Sequence, residues 1–118
     1  MESSHCTFCG IVAGRLSSRI RYEDDEILVF DNQLDWFPVQ MLVIPKQHLL
    51  QSELWQSGSL MSRMSELAAR LGEEFCPNGF RILSNFGEDG MQSQPHGHLH
   101  VIGGAHLGLY VRGRGGRH

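Results

Sequence analysis

The sequence predicts an α+β fold: an antiparallel meander sheet of about five strands with one long helix and one short N-terminal helix. Three observations lead there. Two apolar runs of strand length, EILVFDN and VQMLVIP, are separated by a loop containing Asp35, Trp36 and Pro38. Residues 57–75 carry Leu60, Met61, Met64, Leu67, Ala68, Leu71 and Phe75 at spacings of three and four, one apolar stripe of a helix. After that stripe come two shorter stretches that alternate as strands do.

Taken in order, FCGIVAG (residues 8–14) reads as a short helix or turn closed by Gly14. Residues 19–22 form a brief strand, and EDDE (residues 23–26) a solvated turn. Residues 26–32 and 39–45 are strands, the second stopped by Pro45, which cannot continue a ladder. The helix of residues 57–75 takes Ser57 or Ser59 as its cap and ends before Pro77 and Gly79. Met61 and Met64 belong to the core. FRILSN (residues 80–85) is a strand, FGEDGMQSQP a turn-rich loop, and the segment after Pro95 a last strand closed by Gly103 and Gly104. Residues 1–111 read as a single domain, and the Gly/Arg-rich residues 112–118 as a disordered tail.

Composition narrows the function. The chain has 118 residues, 41% hydrophobic and 19% charged, which suits one folded domain rather than a disordered polymer. A net charge of −3 supplies no basic field for nucleic acid, and no specific nucleic-acid partner is expected. No apolar run approaches the ~18 residues of a membrane span, and MESSHCTFCG lacks the features of a signal peptide. A cytoplasmic location is therefore expected. There, Cys6, Cys9 and Cys76 read as metal ligands or free thiols rather than a disulfide framework.

The densest chemistry lies in QPHGHLHVIGG (residues 94–104), where His96, His98 and His100 alternate with single residues. On a strand they share one face, with Leu99 and Val101 on the other. Such a row suits a three-histidine metal site for a hydrolase. It equally suits a nucleophilic histidine assisted by two others: a carbonyl that takes one ring N–H aims the second nitrogen outward as a nucleophile, with phosphorus a natural target. Cys6-x-x-Cys9 has zinc-knuckle spacing but supplies half a site, and His48, His96 or His5 are candidates for the rest. A redox pair and inert thiols are the alternatives. Asn85, Gln92 and Ser93 are neutral hydrogen-bonding residues just ahead of the histidines, and backbone amides near Gly87 and Gly90 can approach an anion.

These segments together resemble the histidine triad (HIT) family. PHGHLHVIGG is similar to its signature, CTFCGIVAGRLSSRIRYEDDEILVFDN to its N-terminal stretch, MLVIPKQH to its strand ending in Pro-Lys-x-His, and ILSNFGEDGMQSQ to the approach to the triad. The resemblance spans residues 6–104. It implies a HIT-like sheet with helices, commonly a homodimer joined edge to edge. It also implies cleavage between a nucleotide's α-phosphorus and a leaving group, in a phosphoramidate, dinucleoside polyphosphate or adenylate. A nucleotide-binding module or sensor with little catalysis is the alternative.

By position, the resemblance makes His98 the nucleophile, with His96, His100 and Ser93 completing the catalytic set. Asn85 and Gln92 fall where the family contacts phosphate or leaving group, and Phe8, Ile11, Leu16 and Phe30 where it sandwiches the base. Bacterial-type members often carry zinc on positions matching Cys6, Cys9, His48 and His96, which implies a closed structural site. Two substitutions depart from the pattern. Asn32 stands where the family has a ribose-binding acid, and Gly97 where a bulky apolar residue separates the first two histidines, which is expected to loosen packing there and to let a backbone or ligand come close.

Overall fold

A computed structural model describes residues 5–109. The elements run α1 (Thr7–Val12), β1 (Ile20–Glu23), β2 (Ile27–Asp31), β3 (Val39–Pro45), α2 (Gln51–Trp55), α3 (Ser59–Phe75), β4 (Phe80–Leu83) and β5 (Leu99–Gly103). All strand pairs are antiparallel, in the order β1-β2-β3-β5-β4. The meander thus covers β1 to β3. The chain then crosses through α2 and α3 to the far edge, and β5 inserts between β3 and β4. The predicted tail, residues 112–118, lies outside the described residues. No helix among the described residues is long and apolar enough to cross a membrane.

The sheet is covered on both faces, which explains why β2 and β3 read as continuous apolar runs rather than alternating ones. Ile27, Val29, Met41, Val43, Leu99 and Val101 face Met64, Leu67 and Ala68 of α3 and Leu54 of α2. Leu28, Phe30, Leu42 and Ile44 point the opposite way and pack against Cys6, Phe8 and Cys9 around α1. His100 pairs directly with Leu42 across the β3–β5 ladder, so it shares the α1 face.

Three local expectations are corrected. α3 starts at Ser59 with Gly58 as N-cap and no side-chain cap bond. Gly58 adopts φ 68°, which glycine accepts readily, and Ser57 Oγ instead donates to the Leu54 carbonyl at 2.5 Å, closing α2. The helix α2 itself has only five residues, too few to show a period. β5 begins at Leu99, so His96 and His98 precede the strand.

Gly97 does not loosen the packing; it permits a tight contact. Its N–H donates to the Leu49 carbonyl at 2.7 Å, and a Cβ added there would stand 3.0 Å from Leu54 Cβ and Cδ2. We expect Gly97→Val to destabilise the fold by collision with Leu54, and Leu54→Ala to cost about 2–5 kcal/mol as a buried truncation. Because the two side chains would compete for one space, urea denaturation of the double variant should show less than the sum of the single losses. Strict additivity would mean that Leu54 does not set the room at residue 97.

Candidate active site and metal centre

The α1 face of the sheet gathers four donors from three distant segments. Cys6 is the N-cap of α1, and its Sγ accepts from the Cys9 N–H at 3.4 Å, which turns both thiols to one side. Cys9 Sγ lies 3.2 Å from His48 Nδ1 and 3.5 Å from His96 Nδ1, and Cys6 Sγ lies 3.6 Å from His96 Nδ1. All four ligand atoms lie within 4.8 Å of one another, so the cluster could hold a metal ion. His96 Nε2 donates to the Pro45 carbonyl at 2.6 Å. That bond fixes the tautomer and leaves Nδ1 as a bare acceptor turned to the sulfurs, the outer contact expected of a ligating histidine. Burial, the main cause, lowers the His96 pKa to about 4, so its imidazole is neutral and able to ligate. Burial raises the Cys6 pKa, and a bound cation reverses that cost by favouring the thiolate. Cys6, Cys9 and Cys76 are all unbridged thiols.

Beside this cluster lies a cavity of about 250 Å³ whose lining includes Phe8, Ile11, Phe30, Leu42, His98 and His100. His98 is buried, and its Nδ1 donates to the His96 carbonyl at 2.7 Å. A carbonyl can only accept, so the proton is on Nδ1 and Nε2 carries the lone pair. Every fully buried side-chain nitrogen or oxygen among the described residues has a hydrogen-bond partner; His98 bonds through Nδ1, and its Nε2 keeps access to the cavity that the residue lines. Burial lowers the His98 pKa below the ordinary imidazole range, and the same cause, with His98 as a lesser one, takes His100 down to about 4. Both rings are therefore held neutral. Their centroids are 4.9 Å apart, and Phe8 meets His98 edge-on at 5.2 Å.

The predicted site residues separate into those that converge and those that do not. Phe8, Ile11, Phe30, Asn32, Ser93, His98 and His100 line this cavity. Leu16 does not; it is 48% exposed and covers Gly10, where an added Cβ would meet Leu16 Cδ1 at 2.9 Å. Gln92 turns inward on its own loop, accepting from the Gly87 N–H at 2.9 Å and donating to the Gln94 carbonyl at 2.9 Å. It lines a second cleft, of about 540 Å³, which meets the first at Ser93 and Gln94. Asn85 lines neither; its carbonyl accepts from Gln51 Nε2 at 3.0 Å. Asn32 Oδ1 accepts from the Leu34 N–H at 3.1 Å, and Asp31 is held by Arg21 in a two-pronged pair at 2.8 and 2.9 Å.

Sequence reasoning missed Leu42 and Gln51. Leu42 was within reach, since it alternates with buried Met41 and Val43 along β3. Gln51 had no signal: it is a lone polar residue at the head of a five-residue helix, yet only 3% exposed.

The HIT domain profile matches residues 13–107. Protein hit of Bacillus subtilis (strain 168) is 33% identical over 105 residues, covering 85% of this chain and 71% of that protein. Among solved structures, a histidine triad protein from Clostridium difficile superposes with a TM-score of 0.85 at 31% identity, covering 94% of this chain and all of the other. A HIT family hydrolase from Clostridium thermocellum does so with a TM-score of 0.84 at 26% identity, covering 92% and 98% of the two chains. The matched residues 13–107 include His48, His96, His98 and His100, and with the sequence and structural relatives they settle the family: this chain belongs to the HIT domain family.

Proposed function

We propose that this protein is a nucleotidyl hydrolase or transferase. It cleaves at the α-phosphate of a nucleoside phosphoramidate, dinucleoside polyphosphate or adenylate through a nucleotidyl-histidine intermediate. One observation carries the reading: the His98 Nδ1–H is taken by the His96 carbonyl, while Nε2 is left for the cavity that His98 lines together with Phe8, Phe30 and His100. The Clostridium thermocellum relative, a HIT family hydrolase, supports the hydrolase part of this reading.

In the first step the Nε2 lone pair forms a bond to the α-phosphorus as the bond to the leaving group breaks. The leaving amine or phosphate departs with a proton delivered by Ser93 or a neighbouring histidine, help worth roughly 10²–10⁴ in rate. Ser93, His100 and backbone amides of the loop are the groups available to meet charge on the phosphoryl oxygens. Water then attacks the nucleotidyl-histidine, returning a proton to the group that protonated the leaving group, releasing the nucleoside monophosphate and restoring neutral His98. The base lies against the apolar wall that Phe8, Phe30 and Ile11 give the cavity, the two phenyl rings packing edge-on on each other with centroids 5.5 Å apart.

Zinc is the metal that fits the cluster. A tetrahedral ion about 2.3 Å from sulfur and about 2.0–2.1 Å from nitrogen sets S···N separations near 3.6 Å; three S···N pairs here lie at 3.2–3.6 Å, and all four ligand atoms fall within 4.8 Å of one another. With Cys6, Cys9, His48 and His96 as ligands no position is open for water, so zinc would tie α1 to the end of β3 and to the histidine segment rather than take part in the chemistry. A homodimer whose sheets join edge to edge belongs to the same proposal, and β1 and β4 are the two edge strands available for it. A cytoplasmic location, where the three thiols stay reduced, is part of the same proposal.

Mass spectrometry of the protein quenched during turnover of a nucleoside phosphoramidate should find a nucleotide mass on the peptide containing His98. His98→Ala should abolish turnover while retaining nucleoside monophosphate binding, and near-normal turnover in that variant would remove His98 as nucleophile. Purified protein should carry about one zinc per chain by metal analysis, Cys6→Ser should lower that content, and chelation should lower the melting temperature. A protein that holds no zinc, with a melting temperature indifferent to chelator, would leave the cluster as plain thiols.

A further inference from the structure

The Gln51 side chain is buried, yet both ends of its amide are occupied. Its Oε1 accepts from the His98 backbone N–H at 2.9 Å, and its Nε2 donates to the Asn85 carbonyl at 3.0 Å. The neighbouring N–H, that of Gly97, is taken by the Leu49 carbonyl at 2.7 Å. On the other side of the residue, Ser84 Oγ donates to the His98 carbonyl at 2.6 Å. Every polar atom of His98 except Nε2 is thus tied down: the N–H by α2, the carbonyl by the end of β4, and Nδ1 by His96.

His98 needs this restraint because β5 begins only at Leu99, so no ladder fixes residue 98. The head of α2 is itself fixed, since Glu53 Oε1 accepts from the Leu50 N–H at 2.7 Å and Leu54 is fully buried beneath Gly97.

We infer that Gln51 is a positioning residue. It acts through the His98 backbone to hold Nε2 in line for attack, and its amide couples that backbone to Asn85 at the root of the loop bearing Ser93. The inference rests on the nucleotidyl-histidine reading above. Nothing in it requires Gln51 to touch the nucleotide. Its loss should therefore reach the rate of bond formation and spare binding, as expected where misplacement by about 1 Å can cost 10²-fold.

The test is single-turnover formation of nucleotidyl-histidine from a saturating nucleoside phosphoramidate, with the affinity for nucleoside monophosphate measured separately, in the full chain. Gln51→Met keeps the volume and removes both hydrogen bonds. It should slow adduct formation about ten- to a hundredfold with affinity unchanged within about twofold.

Gln51→Glu is the rescue. Burial raises a carboxyl's pKa, and the protonated form repeats both bonds, accepting from His98 and donating to Asn85. It should form adduct at close to the wild-type rate, and it decides the matter if Gln51→Met fails to fold. A wild-type rate in Gln51→Met, or a Gln51→Glu rate that falls in parallel with lost affinity, overturns the assignment. If the wild-type protein forms no adduct, the nucleophile reading fails first and takes this inference with it. Adduct in the wild type with no change in Gln51→Met refutes Gln51 alone.

Discussion

Two N–H···O=C hydrogen bonds, linked through one residue, govern the site. The Pro45 carbonyl takes Nε2–H of His96, and the His96 carbonyl takes Nδ1–H of His98. Since neither oxygen can donate, each bond dictates a tautomer, and the two tautomers are opposite. His96 offers Nδ1 to the thiols of Cys6 and Cys9, and His98 offers Nε2 to the cavity. A motif of near-identical side chains thereby separates into one bare nitrogen turned to the thiols and another turned to the cavity. The third ring, His100, sits on β5 opposite Leu42, and its burial keeps it neutral. In a polar, hydrated loop the same imidazoles would exchange protons and tautomers freely near neutral pH.

That arrangement depends on a sheet with two apolar faces. Pro45, the last residue of β3, is placed by Ile27 across the ladder, while Ile44 and Val43 beside it are fully buried on opposite faces. The α3 face supplies most of the burial, from Met64, Leu67 and Ala68 against the strands. The α1 face is thinner, and its apolar surface comprises Cys6, Phe8 and Cys9 over Leu28, Phe30, Leu42 and Ile44. A six-residue helix has little intrinsic stability. Attachment of α1 through the thiols to His48 and His96 is thus a physical route to holding Phe8 against the histidines, and it joins the thiol–imidazole cluster to the shape of the cavity.

What the residues revealed, and what they hid, follows from range. Strands β2 and β3, helix α3 and the core role of Met64 were legible because a period or an apolar run is a local signal. The shared face of the three histidines was legible from alternation, although the strand starts later than the alternation does. Partners for Cys6 and Cys9 lie as far as 90 residues along the chain, and spacing alone left three histidines in contention; the resemblance singled out His48 and His96. Order in the sheet was not legible, because nothing local tells β5 to insert between β3 and β4. Helix α2 and Gln51 were invisible for the opposite reason, an element too short for any period. Gln92 and Leu16 fell at the expected positions in sequence, yet one side chain turns to its own loop and the other to Gly10.

Asn32 shows how such a substitution acts once its neighbours are known. An acid at this position would present acceptor oxygens to the cavity. Asn32 instead gives Oδ1 to the Leu34 N–H, which leaves its amide hydrogens as the group on offer. The adjacent Asp31 does not supply the missing charge, because Arg21 grips both of its oxygens and itself stacks over Phe75 at 5.4 Å. On the proposed reading, the sugar end of the cavity is therefore a neutral donor. A ribose hydroxyl can meet it by accepting, but it gains no charge-assisted bond, the stronger kind. Binding strength then shifts toward the aromatic walls at one end and the phosphate contacts near Ser93 and His100 at the other. A nucleotide held mainly at its two ends is placed for reaction by the groups that fix its phosphorus, so the rigidity of residue 98 carries more of the catalytic burden here than it would beside a ribose-binding acid.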